Sequence, residues 1–204
     1  MRANDSTGAA RGRGLDYRDV RGDIKDCDVL LYKGRSWESW LIRLVTGAPY
    51  SHAGLAVWWN ERLMVLEAIG KGVVVTALSQ NVRRYDGRVE WFTCTEEILP
   101  AGRKQMVEFA QLELGKEYGT WQALVIGLRR LLGRPADSGD APRRARKLIC
   151  SQYVASVYNF SGRDLRRGVS DRFTTPADIA ASPLLRRMGV LRKEPRRIAR
   201  SGNT

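Results

Sequence analysis

The sequence predicts an α+β domain, with an antiparallel sheet followed by helices, and three observations carry that prediction. Five runs of strand length, rich in β-branched and aromatic residues, lie between residues 28 and 94. Two of them are separated only by Asn60 and Glu61, a spacing that makes neighbours antiparallel through a tight hairpin. After residue 100 the apolar residues recur at helical spacing instead.

Taken in order, residues 1–21 are rich in Gly, Arg, Asp and Ser and read as a flexible N-terminal tail. "DVLLY" (28–32) is the first strand. In "SWESWLIRLVTG", Trp37, Trp40, Leu41, Leu44 and Val45 fall on one helix face, with Ser36 to cap its start and Gly47 to end it. Strands follow over 53–59 and 62–69, and the asparagine between them tolerates the positive φ that a tight turn asks for. "GVVVTAL" (72–78) and "GRVEWFTC" (87–94) complete the strands. Pro100 opens a helix to about Leu114, closed by Gly115. Helical spacing returns with Trp121, Leu124, Val125, Leu128 and Leu132. A Pro/Gly/Asp/Arg stretch over 129–147 reads as a basic loop insertion, ending where "LICSQYVASVY" (148–158) starts a new helix. "TTPADIAAS" then offers Thr175 as cap, Pro176 at the first helical position and Asp178 three past the cap. Residues 22–183 therefore form one domain, with 184–204 as a basic C-terminal tail.

The chain has 204 residues, 43% of them hydrophobic, which suffices for a core, and a net charge of +13. That charge is localised. Residues 1–22 contribute +2, 129–147 contribute +5 and 184–204 contribute +6, so the rest is neutral. The basic segments suit an anionic partner, a membrane surface or nucleic acid, and localise the protein more than they define its chemistry. The final 21 residues hold no aromatic side chain to stack on bases. No apolar run is long enough for a transmembrane segment, and the N-terminus lacks the apolar core of a signal peptide, which points to the cytoplasm or, through the basic segments, to a peripheral membrane setting. Cys27, Cys94 and Cys150 are odd in number, widely spaced and without a CxxC pair, so they read as free thiols. With a single histidine, a histidine-rich metal site is excluded, and no cofactor is implied.

That histidine, His52, opens one strand of the hairpin, and Glu67 lies near the end of the other. If the chain turns on Asn60 and Glu61, paired residue numbers sum to 121. His52, Gly54 and Glu67 then share a face, with His52 and Glu67 as diagonal neighbours and no side chain at Gly54 to crowd them. A one-residue slip would put Glu67 on the opposite face. Glu67 is the unusual member, since a carboxylate in an apolar strand needs a partner. Cys150 stands where the basic loop turns into a helix, and there the macrodipole and free backbone N–H groups would favour a thiolate and receive an oxyanion. Cys27, flanked by aspartates, and Cys94, at a strand end, lack that help. A base, its orienter and a nucleophile are thus all present.

The runs "RGDIKDCDVLLYKGRS", "LIRLVTGAPYSHAGLAV", "VLEAIGKGVVV", "LGKEYG", "LICSQYVASVY" and "TTPADIAAS" resemble the circularly permuted papain-like cysteine hydrolases, specifically the YiiX/YebB-like branch of the NlpC-type superfamily, which is related to lecithin:retinol acyltransferases. The resemblance spans about Gly22 to Ser182 and implies a permuted papain-like domain with the nucleophile-bearing helix packed on the antiparallel sheet. It places the catalytic histidine at His52, its polar partner at Glu67 and the nucleophile at Cys150. Tyr118, Ser51 and Ser151 fall at positions beside the site and are implied in substrate binding. Two features depart from the pattern: the extra polar residues of "GDIKDCDVLLY" and the insertion over 129–147. The composition of that basic insertion leads to the expectation that it is mobile, and either gates the site or recruits an anionic substrate group, or is an inert surface insertion. The activity implied is hydrolysis of an amide in a peptide or peptidoglycan fragment, with thioesterase or acyltransferase chemistry on an acyl substrate as the alternative. A non-catalytic binding module, localised by its basic tails, is the rival class.

Overall fold

Residues 14–34, 49–69, 72–114 and 143–192 are described by the computed structural model, with 143–149 and Arg172 described for backbone alone. Strands β1 (Gly14–Asp16), β2 (Val29–Gly34), β3 (His52–Trp59), β4 (Arg62–Ile69), β5 (Gly72–Ala77), β6 (Gly87–Cys94) and β7 (Leu185–Arg192) form one sheet in the order β1-β7-β6-β2-β3-β4-β5. The helices among the described residues are α1 (Tyr17–Val20), α2 (Leu78–Arg84), α3 (Pro100–Gln111), α4 (Arg143–Phe160) and α5 (Pro176–Ala181). The mixed α/β architecture agrees with the expected sheet and helices. With seven strands, the sheet is larger than the five runs the sequence offers.

Its centre follows from the hairpin. Leu55 pairs with Leu66 and Trp59 with Arg62, the register that a turn on Asn60 and Glu61 dictates, and Asn60 takes φ 53°. A side chain at Gly54 would lie 2.8 Å from Val65 Cγ1, so the close approach of β3 and β4 requires glycine there. The strand pattern buries both sides of the sheet. On one side Val29, Leu31, Leu55, Leu66 and Phe92 pack with Met106 of α3, Val154 and Val157 of α4, and Ile179 of α5. On the other, Leu30, Tyr32, Ala56, Val65 and Trp91 pack under Ile24 and Leu78, the one buried residue of α2. The capping box of α5 forms as its sequence predicts: Thr175 Oγ1 accepts from Asp178 N, and Asp178 Oδ2 accepts from Thr175 N.

The extra polar residues before β2 have structural roles. Asp26 accepts from the Trp58 backbone N–H at 2.6 Å. Asp28, fully buried, accepts from Trp91 Nε1 at 2.8 Å, Thr93 Oγ1 at 3.0 Å, Lys25 N at 3.1 Å and Arg103 at 3.2 Å. Carboxylates that are this well paired can be buried, which is why the run tolerates them.

Three expectations are corrected. Both presumed tails contribute to the sheet, because Gly14–Asp16 pairs in parallel with Val190–Arg192, and β7 also pairs with β6. The short apolar stretch of β7 is hidden among its arginines, one of which, Arg187, binds the buried Glu90. The helix α2 falls where the sequence offered only the end of a strand. Finally, residues 143–147 belong to α4 rather than to a loop. Arg, Ala, Lys and Leu are good helix formers, and Pro142 stands just before the first turn. The remainder of the basic insertion and the helices expected at 36–47 and 121–132 lie outside the described residues.

Candidate active site

Antiparallel pairing of β3 and β4 sets His52 and Glu67 on one face, and their side chains meet. His52 Nε2 lies 2.7 Å from Glu67 Oε2, with 21% and 12% of the two side chains exposed. Strand β2 supplies the wall behind the ring. Tyr32 pairs with His52 across β2 and β3, and their rings stand 5.2 Å apart. The third contact of the imidazole is Cys150, fully buried on α4, which interacts with the ring through a hydrogen bond and through its charge. Because Nε2 is committed to Glu67, Nδ1 is the nitrogen left for the sulfur. His52 is the first residue of β3, and Cys150, part of the core on the helical side, meets it at that strand end.

The electrostatics favour a charged imidazole. Burial pushes the His52 pKa down, but the charge and hydrogen bond of Cys150, with those of Glu67, outweigh it and raise the value to about 10. Burial likewise pushes the Glu67 carboxyl up. The hydrogen bond and charge of His52, with donors from Thr76 and Asn81, reverse that and hold it below its usual value. An imidazolium between a sulfur and a carboxylate is the arrangement needed to hold a thiol nucleophile ready and to return a proton to a leaving group.

One expectation about Cys150 fails. It is not at a helix N-terminus, because α4 starts at Arg143 and Cys150 is well inside it. The helix dipole acts mainly within the first turn, and a backbone N–H this deep is spent on the carbonyl four residues back. Any activation of Cys150 therefore comes from His52 and not from the dipole. The other cysteines are buried as well, Cys27 wholly and Cys94 to 8% exposed. Burial pushes the Cys27 thiol well up, with Asp26 and Asp28 adding to it and Arg103 opposing.

The residues expected around the triad fare differently. Ser151 is fully buried and its hydroxyl donates to the Thr174 carbonyl, which ties α4 to the segment before α5. Ser51 Oγ donates to the Tyr32 carbonyl, accepts from Gly34 N and lies 3.2 Å from the Tyr85 hydroxyl, which braces the approach to His52. Tyr118 lies outside the described residues. Sequence reasoning missed Thr76 and Asn81. Thr76 could have been found from the pairing of β4 with β5, whereas Asn81 lies on a short helix that carries no periodic signal.

No family model and no curated protein matches the chain. Among solved structures it is similar to the metalloprotein YiiX of Escherichia coli O157:H7, a DUF1105 protein, with 21% identity and a TM-score of 0.58 over 84% of this chain and 98% of that one. The fold is YiiX-like. At that identity the likeness extends to the fold alone.

Proposed function

We propose that this chain is a cysteine hydrolase of permuted papain-like design, acting on an amide bond in a peptide or cell-wall peptide. The observation that carries the proposal is the His52 imidazole held between Cys150 and the Glu67 carboxylate, 2.7 Å from the latter. In the proposed cycle the Cys150 sulfur attacks the carbonyl carbon, and His52 Nδ1 gives its proton to the departing amine nitrogen. An acyl-thioester remains. His52, now neutral, takes a proton from water, whose oxygen adds to the thioester carbonyl. The carboxylic acid leaves and the sulfur regains its partner. Glu67 stays ionised throughout and holds the Nε2–H tautomer.

YiiX is described as a metalloprotein. Among the described residues no group of three or more His, Cys, Asp or Glu side chains is placed to hold a metal ion, and His52 Nε2 is committed to Glu67. The described residues do not fit such a centre, so the proposed cycle runs through none. Among the described residues no helix is long and apolar enough to cross a membrane. The net charge of +13 supports a role for the basic segments in docking on an anionic partner.

The test is a panel of peptidoglycan-type peptides and acyl thioesters, incubated with the protein, quenched in acid and read by intact mass. An acyl adduct on Cys150 from an amide substrate, absent in His52→Ala, is the expected result. Acylation by thioesters alone would move the activity to acyl transfer, and no adduct from either class would remove the enzymatic reading.

A further inference from the structure

Glu67 has a second neighbourhood that the cycle above does not use. In the β4–β5 ladder Val65 faces Thr76 and Glu67 faces Val74, so Thr76 is the diagonal neighbour of Glu67 on one side as His52 is on the other. Three polar side chains therefore cross three strands on one face. Thr76 Oγ1 donates to Glu67 Oε1 at 2.8 Å. Asn81 Nδ2, on α2, donates to Tyr32 Oη at 3.0 Å and to Thr76 Oγ1 at 3.2 Å, and lies 3.4 Å from Glu67 Oε1. An amide nitrogen has two hydrogens, so the two shorter contacts take the larger share and the longest, to Glu67, is the weakest of the three. A threonine hydroxyl that accepts from Asn81 has one proton left, and that proton points at the carboxylate. Oε1 is thereby committed, and Oε2 is the oxygen left for His52.

We infer that Thr76 and Asn81 are positioning residues, a two-link donor chain that fixes the Glu67 carboxylate and, through it, the His52 tautomer presented to Cys150; the inference rests on the cysteine-hydrolase reading above. The terminal torsion of a glutamate is broad, so without such a clamp the carboxylate would rotate away from Nε2–H. Tyr32 closes the network on the far side, with its ring against His52 and its hydroxyl on Asn81. Among the described residues, the charged and titratable groups that bear on Glu67 are His52 from β3, Tyr32 from β2 and, through His52, Cys150 from α4. None of them is altered by changing Thr76.

Thr76→Val keeps the β-branched shape and removes the donor, and Thr76→Ser restores it. Because His52 is the only histidine in the chain, its Nε2–H resonance is read by NMR without ambiguity. Losing a hydrogen bond to a carboxylate raises the Glu67 pKa, so the acid limb of Cys150 alkylation should move up by about one pH unit in Thr76→Val. The Nε2–H resonance should broaden or shift, and Thr76→Ser should restore both. If Thr76→Val does not unfold cooperatively, the same two readings on Asn81→Leu decide the matter. A parental acid limb together with a parental resonance in the folded variant overturns the inference. A resonance that responds while Cys150 of the parent is inert to alkylation and to every panel substrate supports the clamp and removes the hydrolase reading.

Discussion

Cys27 and Cys150 are both fully buried, and each has a carboxylate and a cation nearby, yet the two constellations differ in what lies next to the sulfur. Around Cys27 the carboxylates of Asp26 and Asp28 add to the effect of burial, and the cation is Arg103, bonded to Asp28 and to the Asp26 carbonyl. A guanidinium does not release its proton near neutral pH, and the Asp28 oxygens already hold four donors. Burial pushes the Asp28 carboxyl up despite those donors. Nothing in that cluster can pass a proton. Around Cys150 the imidazole stands between the sulfur and Glu67, and Glu67 is held below its usual pKa. The same residue classes therefore build a brace at one place and, in the proposed function, a proton-transfer chain at the other. The group placed between the thiol and the carboxylate makes the difference.

The largest expected effect is on the chain that can move a proton. Glu67→Gln should leave the protein folded by circular dichroism and lower the rate of Cys150 acylation by roughly 10⁴-fold, the scale seen when a triad carboxylate becomes an amide. Near-parental acylation would make Glu67 another brace and erase the contrast with Asp28. A smaller effect, of the opposite kind, is expected at the other cluster. Arg103→Met should cost about 3 kcal/mol in urea unfolding, because it strands a buried carboxylate. Labelling of Cys150 per folded molecule should stay at the parental level. Loss of labelling in a folded Arg103→Met protein would mean that the two clusters are coupled across the sheet.

Much of this arrangement is legible in the sequence, and its limits have physical causes. The register of β3 and β4 follows from the Asn60–Glu61 turn and the pleat, and so does the meeting of His52 with Glu67, because a two-residue turn leaves little freedom to slip. The cap of α5 is equally local. The start of α4 is hidden in the sequence because basic residues and nearby Pro and Gly look like a loop, although Arg143–Lys147 have good helix propensity. The β1–β7 pair joins opposite ends of the chain, and no local pattern announces so distant a parallel partner. The role of Asn81 depends on three side chains drawn from β2, β4 and β5. Such convergence exists only after folding.

The central claim, that His52 and Glu67 activate Cys150, is tested most directly by brief iodoacetamide labelling at neutral pH with all three cysteines competing in the folded protein. Exposure alone ranks Cys94 first, since it is 8% exposed and the other two are fully buried. The account predicts that peptide mass spectrometry finds Cys150 modified ahead of both, and that His52→Ala abolishes that preference. Modification of Cys94 or Cys27 first, or a Cys150 rate indifferent to His52→Ala, would contradict it.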